Sequence, residues 1–132
     1  MTFRILHSES RFVIVSGQQL PKIRRIISQL DCVEKVIVLD DIPAANAKEV
    51  SMEWVQALGD SYLFGHKAEF EDRYKSVQPD DYATISYTSG TTADPKGVLL
   101  THRNYTANVE QAHSVIGVKP DSTMLIILPL DH

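Results

Sequence analysis

Two short apolar runs with an amphipathic segment between them constrain most strongly how this chain can fold. Residues 12–16 and 35–39 are rich in β-branched side chains, which is typical of strands buried in a parallel sheet. Gly17 supplies a turn after the first run. Apolar residues then recur at the spacing of one helix face: Leu20, Ile23, Ile26, Ile27 and Leu30. This order of segments predicts a right-handed βαβ unit.

Two helical segments are predicted to follow this unit. Ser51 is a suitable N-cap for a short helix that ends at Leu58, because its hydroxyl can accept from the first free backbone N–H groups. The packing face of that helix would carry Trp54, Val55 and Leu58. Residues 66–75 are rich in charge and are also predicted to be helical.

The last third of the chain predicts a helix and another strand. Residues 101–116 have helical spacing, Thr101 or Asn104 could cap the helix, and Gly117 ends it. Four apolar residues share one face of it: Tyr105, Val109, Ala112 and Ile116. Residues 124–128 form a further apolar run, read as a buried strand. The chain is therefore expected to be α/β, a largely parallel sheet with flanking helices.

Composition narrows the class of protein. The chain has 132 residues, of which 43% are hydrophobic, and its net charge of −4 argues against a nucleic-acid partner held through phosphates. Cys32 is the only cysteine, so an intrachain disulfide is impossible and a reducing compartment, the cytoplasm, is expected. Apolar runs are too short for a transmembrane segment.

Charged clusters in the predicted α/β framework are interpreted as structural. Lys22, Arg24 and Arg25 on the first helix are read as a solvated face. Two pairs of acids lie at strand ends or turns, where turn chemistry explains them better than acid–base catalysis: Asp40 with Asp41, and Asp80 with Asp81.

A polar loop at residues 87–97 carries the main functional signal. Gly90 has no Cβ, so the backbone there can approach a ligand closely, and Lys96 adds a mobile positive charge. Four hydroxyls surround the glycine: Thr88, Ser89, Thr91 and Thr92. β-rich segments on both sides would hold the loop between two strands. A plain polar hairpin loop is the alternative, but hydroxyls, backbone N–H groups and a lysine together are suited to bind a polyphosphate.

Other reactive sites fit the sequence poorly. Pro95 and Gly97 stand where a P-loop requires its second glycine and its Ser/Thr, so that nucleotide site is excluded. Ser89 lacks the first glycine of a hydrolase nucleophile elbow. The spacing of His102 and His113 does not match a zinc site, and no Cys-x-x-Cys is present.

The loop resembles the phosphate-binding signature of adenylate-forming (AMP-binding) enzymes, Tyr-Thr-Ser-Gly-Thr-Thr-Gly-x-Pro-Lys-Gly. The sequence departs from it only at Ala93, where glycine is usual. Flanking residues 77–81, 98–104 and 128–132 are also similar to the family, most of all to long-chain fatty acid–CoA ligases.

This resemblance implies ATP-dependent activation of a carboxylic acid, a fatty acid here, to an acyl-adenylate, followed by transfer to coenzyme A. It assigns the β- and γ-phosphates to six residues: Thr88, Ser89, Gly90, Thr91, Thr92 and Lys96. Thr91 would also contribute to the Mg²⁺ shell. Lys96 and His132 are the candidate catalytic residues; Lys96 would contact phosphate or anchor the loop, and His132, at the end of a predicted strand, would border the acyl carboxylate.

Family members are several times longer than this chain. The chain is therefore expected to be part of a large N-terminal AMP-binding domain, with the βαβ segment at 1–76 and the phosphate loop and its following strand, helix and strand at 77–132. Alone it is expected to be inactive. Peripheral membrane contact of the parent enzyme stays open. So do three alternatives: a non-catalytic nucleotide-binding α/β module, a peptide-synthetase adenylation domain and an acyl-carrier-protein ligase.

Overall fold

The computed structural model describes residues 1–88, 95–117, 119 and 121–123. The helices are α1 (Thr2–His7), α2 (Leu20–Ile26, continued by a 3₁₀ turn at Ile27–Gln29), α3 (Met52–Lys75) and α4 (His102–Ile116). The strands are β1 (Phe12–Val15), β2 (Lys35–Val38), β3 (Glu49–Ser51), β4 (Tyr82–Thr88) and β5 (Lys96–Thr101). The strand predicted at 124–128 lies outside the described residues.

Strands β1, β2 and β3 form a parallel sheet in that order. Phe12 pairs with Lys35, and Val36 pairs in turn with Glu49. Helix α2 connects β1 to β2, as the spacing of apolar residues predicts. The predicted α/β fold with a parallel sheet and helices is confirmed.

The core lies between this sheet and α2. Its most completely buried side chains come from the helix, the segment after it and the central strand: Leu20, Ile23, Leu30, Val33 and Val36. Val15 and Val38 complete the cluster. Side chains along β1 point alternately to the two faces of the sheet. Val15 faces the core, whereas Phe12 and Ile14 point to the other face and are 53% and 58% exposed. Helix α2 therefore covers one face of the sheet.

The turn after β1 depends on Gly17. Its backbone N–H donates to the carboxylate of Asp40, at the end of β2. A Cβ at position 17 would collide with the side chain of Ile42. Glycine is therefore required at position 17, because the side chain of Ile42 leaves no room for a Cβ. Asp40 takes part in turn structure, as predicted.

Helix α3 is longer than the sequence predicts. The hydroxyl of Ser51 accepts from the backbone N–H of Trp54 at 3.1 Å, so the predicted cap is confirmed. The predicted end at Leu58 is wrong, because the helix continues past it to a kink at His66 (φ −129°, ψ 24°). The helix predicted at residues 66–75 is confirmed as the segment that follows this kink and ends at Lys75. The predicted packing face is also wrong in two of its three residues: Trp54 and Leu58 are 52% and 55% exposed, and only Val55 is half-buried.

The chain divides into two compact units, one of Met1–Val77 with Tyr87–Val98 and one of Gln78–Ser86 with Leu99–His132. Strands β4 and β5 pair with each other. In the second unit, the backbone N–H of His102 donates to Asp81 O at 3.1 Å and that of Arg103 to Pro79 O at 2.7 Å. The segment between Thr88 and Lys96 is shorter than the roughly dozen residues that a parallel crossover needs, so the two paired strands run antiparallel.

Helix α4 has defined signals at both ends. The Thr101 hydroxyl accepts from the backbone N–H of Asn104, and the Asn104 side chain accepts from the backbone N–H of Thr101 at 2.8 Å, which makes a capping box. Gly117 ends the helix in the left-handed region (φ 61°, ψ 42°). The predicted bounds of this helix are confirmed.

Candidate functional site

The polar loop is framed by the two paired strands. β4 ends at Thr88 and β5 begins at Lys96, and both side chains are exposed. The other predicted phosphate ligands, Ser89, Gly90, Thr91 and Thr92, lie outside the described residues, as do Ala93 and His132. The structure therefore describes the strands on both sides of the loop and the two predicted ligands at its ends, Thr88 and Lys96.

Lys96 lies at the start of β5, directly after the loop, and its side chain is accessible to solvent. No ion pair joins it to any residue in the described part of the chain. Its β-strand backbone fixes the base of a flexible four-carbon stem that ends in a strongly hydrated charge. This arrangement is suited to an anionic group near the loop.

The residue before Thr88 is held by the first helix of the same unit. The Tyr87 hydroxyl lies 2.7 Å from His7 Nδ1, and the two rings meet edge to face at 5.7 Å. The His7 ring also stacks on Phe3 at 5.2 Å. His7 is a contact that the sequence does not suggest, because it lies eighty positions before Tyr87 and belongs to no motif.

The strand after the loop leads into a second set of polar contacts. Arg103, in the first turn of α4, donates to both carboxylate oxygens of Asp80 at 2.7 and 2.9 Å. These hydrogen bonds lower the pKa of Asp80 from its ordinary value. The hydroxyls of Thr84 and Tyr105 lie 2.8 Å apart, which joins β4 to α4. These contacts fix the entry to α4.

A buried ion pair lies at the edge of the parallel sheet. Glu49 is 6% exposed and accepts from Arg24 through Nε at 3.0 Å and Nη2 at 2.8 Å. It also accepts at 2.8 Å from the backbone N–H of Ala45 and from Asn46 Nδ2. The hydrogen bonds from Arg24 are the main reason that the pKa of Glu49 is lowered. The predicted solvated face is therefore wrong for Arg24, whereas Lys22 and Arg25 are exposed.

A cavity of about 320 Å³ lies near the carboxyl ends of β2 and β3. Its lining is largely apolar: Val38, Ile42, Ala44, Glu49, Val50, Ser51 and Trp54. Thr88 and Lys96, the two predicted ligand residues that the structure describes, do not line it. Among the residues that the structure describes, no group of three His, Cys, Asp or Glu side chains could hold a metal ion.

The whole chain, residues 1–132, matches the sequence model of one family, described as "AMP-binding enzyme". The chain belongs to this family. The prediction drawn from the loop and its flanks is therefore confirmed at the level of the family.

Similar proteins include several acyl-CoA ligases. The chain is 30% identical to the long chain acyl-CoA synthetase 6, peroxisomal, of Arabidopsis thaliana, with 98% of this chain and 18% of that protein covered. It is 33% identical to the acyl-CoA ligase 891, peroxisomal, of Penicillium brevicompactum, with 97% and 20% covered. The chain thus spans about a fifth of the length of these relatives.

A solved structure shares the fold. The crystal structure of an anthranilate CoA ligase in complex with anthranoyl-AMP matches 83% of this chain and 19% of its own, with a TM-score of 0.59 at 20% identity. In the described part of this AMP-binding chain, no helix is both long and apolar enough to cross a membrane.

Proposed function

We propose that the protein carrying this chain activates a fatty acid in two steps. The carboxylate attacks the α-phosphorus of ATP, which gives an acyl-adenylate and releases pyrophosphate. The thiol of coenzyme A then takes the acyl group and releases AMP. The observation that carries the proposal is the resemblance of the polar loop at residues 87–97, which connects β4 to β5, to a phosphate-binding signature, in a chain that matches the AMP-binding family over its whole length. We call it the polyphosphate loop after its proposed ligand.

The first step requires alignment and charge stabilisation more than covalent help from the protein. In the proposal the loop from Thr88 to Lys96 binds the β- and γ-phosphates through hydroxyls and backbone N–H groups. Lys96 supplies positive charge beside the departing pyrophosphate, which fits its exposed position at the start of β5. His132 is proposed to border the acyl carboxylate.

Magnesium enters the proposal only through Thr91, whose hydroxyl would join the shell of an ion bound with ATP. Among the described residues, no group of three His, Cys, Asp or Glu side chains could hold such an ion. Its chemistry would be the neutralisation of phosphate charge.

The names of the relatives support fatty acids over amino acids as the proposed substrates. Among them are a synthetase and a ligase named for long-chain acids, the latter from Saccharomyces cerevisiae with 44% identity over 52% of this chain. We include the cytoplasm as the proposed location, although two relatives are named peroxisomal. A nucleic-acid partner is not proposed, given the net charge of −4.

The test is ATP–pyrophosphate exchange by the whole protein with a panel of fatty, aromatic and amino acids, followed by detection of acyl-CoA. Exchange that depends on fatty acids, with acyl-CoA formed, is the expected result. Exchange with amino acids alone would favour a peptide-synthetase domain, and nucleotide binding without exchange would favour a non-catalytic module. The isolated 132 residues are expected to form no acyl-AMP.

A further inference from the structure

His7 is the last residue of α1 and contacts the strand that leads into the polyphosphate loop. Two contacts join it to Tyr87, the first residue of the polyphosphate loop pattern: the 2.7 Å approach of Nδ1 to the hydroxyl and the edge-to-face ring contact. Phe3 stacks on the His7 ring one turn earlier, at an interplanar angle of 25°. His7 is thus held on one side by its own helix and on the other by β4. Both residues belong to the same compact unit.

Tyr87 is next to Thr88, the last described residue before the loop. Neighbouring strand residues point to opposite faces, and accordingly Tyr87 is half-buried whereas Thr88 is exposed. A side chain fixed on one face therefore fixes the direction of the next residue on the other. The anchor at Tyr87 sets the point from which the loop leaves the strand.

We infer that His7 is a positioning residue for the polyphosphate loop: through Tyr87 it fixes the end of β4, to which the loop that is proposed to bind ATP is attached. The inference rests on the proposed function, because the ligand is the one assigned to that loop. A loop of hydroxyls and N–H groups binds tightly only when the elements that support it are fixed.

The contact between His7 and Tyr87 does not depend on which groups carry the proton. A phenol hydroxyl can donate to an unprotonated ring nitrogen or accept from a protonated one. Protonation of the imidazole reverses the roles of donor and acceptor but keeps the hydrogen bond. The His7–Tyr87 hydrogen bond is therefore a fixed support, and removing it should leave the pH profile of the reaction unchanged.

The experiment measures the ATP concentration at half-maximal exchange in the whole protein. His7→Ala and Tyr87→Phe should each raise it about tenfold, with the value for the acid unchanged. The double variant should be no worse than the worse single variant, because the two residues act through one contact. His7→Asn, which keeps a polar atom near the position of Nδ1, should recover most of the loss.

A matched control is available in helix α3. His66 stacks on Tyr62 at 4.2 Å, so His66→Ala removes another histidine that is paired with a tyrosine. Among the described residues, no hydrogen bond or ring contact joins His66 to Tyr87 or Thr88. It should leave the ATP dependence unchanged. Additive losses in the double variant would overturn the inference. A lower melting temperature of the single variants with unchanged ATP dependence would also overturn it. If His7→Ala does not fold, Tyr87→Phe and His7→Asn decide the question.

Failure of the proposed function is distinguished by direct titration of the same variants with ATP. If the wild type binds ATP but exchanges with no acid, the function fails, and weaker binding by His7→Ala still supports the positioning role. Equal binding by the two proteins, or no ATP binding by the wild type, overturns it.

Discussion

The β1–β3 region and the β4–α4 region of this chain are stabilised in different ways. Every residue that is buried in the described part of the chain lies from Val15 to Glu49, where α2 packs on the parallel sheet. In β4, β5 and α4 the described residues include no buried side chain. That region is instead ordered by the Thr101 capping box, the Arg103–Asp80 pair and the Thr84–Tyr105 contact. Apolar burial builds the framework, and local polar contacts shape the strands and helix beside the candidate loop.

The largest difference in stability should appear when one apolar side chain is shortened in each region. Leu30→Ala removes a fully buried side chain and should cost about 2–5 kcal/mol of unfolding free energy. Val109→Ala, on an exposed position of α4, should change it by less than about 0.5 kcal/mol. Urea unfolding of the purified protein measures both. Equal losses would show that α4 is packed as tightly as the sheet.

For activity, the larger loss is expected from a substitution in the β4–α4 region and the smaller loss from one outside it. Lys96→Ala should slow ATP–pyrophosphate exchange about 100-fold, the loss that usually follows removal of one charge-stabilising donor. Arg11→Ala removes an exposed cation that pairs with Glu34 in the framework and is the control, with exchange unchanged. An Lys96→Ala protein that exchanges at the wild-type rate would remove the proposed role of this residue.

The buried ion pair of the framework should make its stability depend on pH. Because hydrogen bonds from Arg24 lower the pKa of Glu49 in the folded state, the unfolded state binds more protons in acid. The stabilisation is present above the ordinary pKa of about 4.3 and is lost as the pH falls through the lower folded value. Glu49→Gln should lose about 2 kcal/mol at neutral pH and flatten this acid limb. Chemical unfolding at pH 7 and pH 3 checks it; parallel pH curves would contradict the assignment.

The smallest effect is expected at the start of α4. Thr101→Ala removes the capping hydroxyl and should cost about 1 kcal/mol. Thr106→Ala, further along the same helix, is the matched control, because the hydrogen bond that its hydroxyl makes among the described residues goes to the carbonyl of Arg103 in its own helix. Thermal unfolding compares the two variants, and a control that loses as much as Thr101→Ala would argue against a specific role for the cap.

Local patterns in the sequence were sufficient for part of this structure. The β1–α2–β2 unit follows from apolar spacing. The N-cap of α3 follows from Ser51, and for α4 the sequence offers Thr101 or Asn104, which together form the capping box. The end predicted at Leu58 fails because Gly59 does not stop α3, since a helix tolerates a glycine at a cost of about 1 kcal/mol. Gly65 directly precedes the kink at His66.

Features that depend on distant partners were not predictable. β3 is three residues long and begins with a glutamate, so it carries no strand pattern and exists through its pairing with β2. The burial of Glu49 depends on Arg24, and the anchor of Tyr87 depends on His7. In the candidate site, the sequence predicted the strands that frame the loop, whereas the roles of Thr88, Lys96 and the loop residues stay predictions.

The two kinds of strand pairing have a consequence for the order of folding. Strand β1 can pair with β2 only after the intervening helix and its connections have closed a long loop, which costs chain entropy before any contact is gained. Strands β4 and β5 are separated only by the short segment between Thr88 and Lys96, and hairpins close within about 1–10 μs. The frame of the polyphosphate loop is therefore expected to form kinetically ahead of the sheet that supplies most of the buried surface.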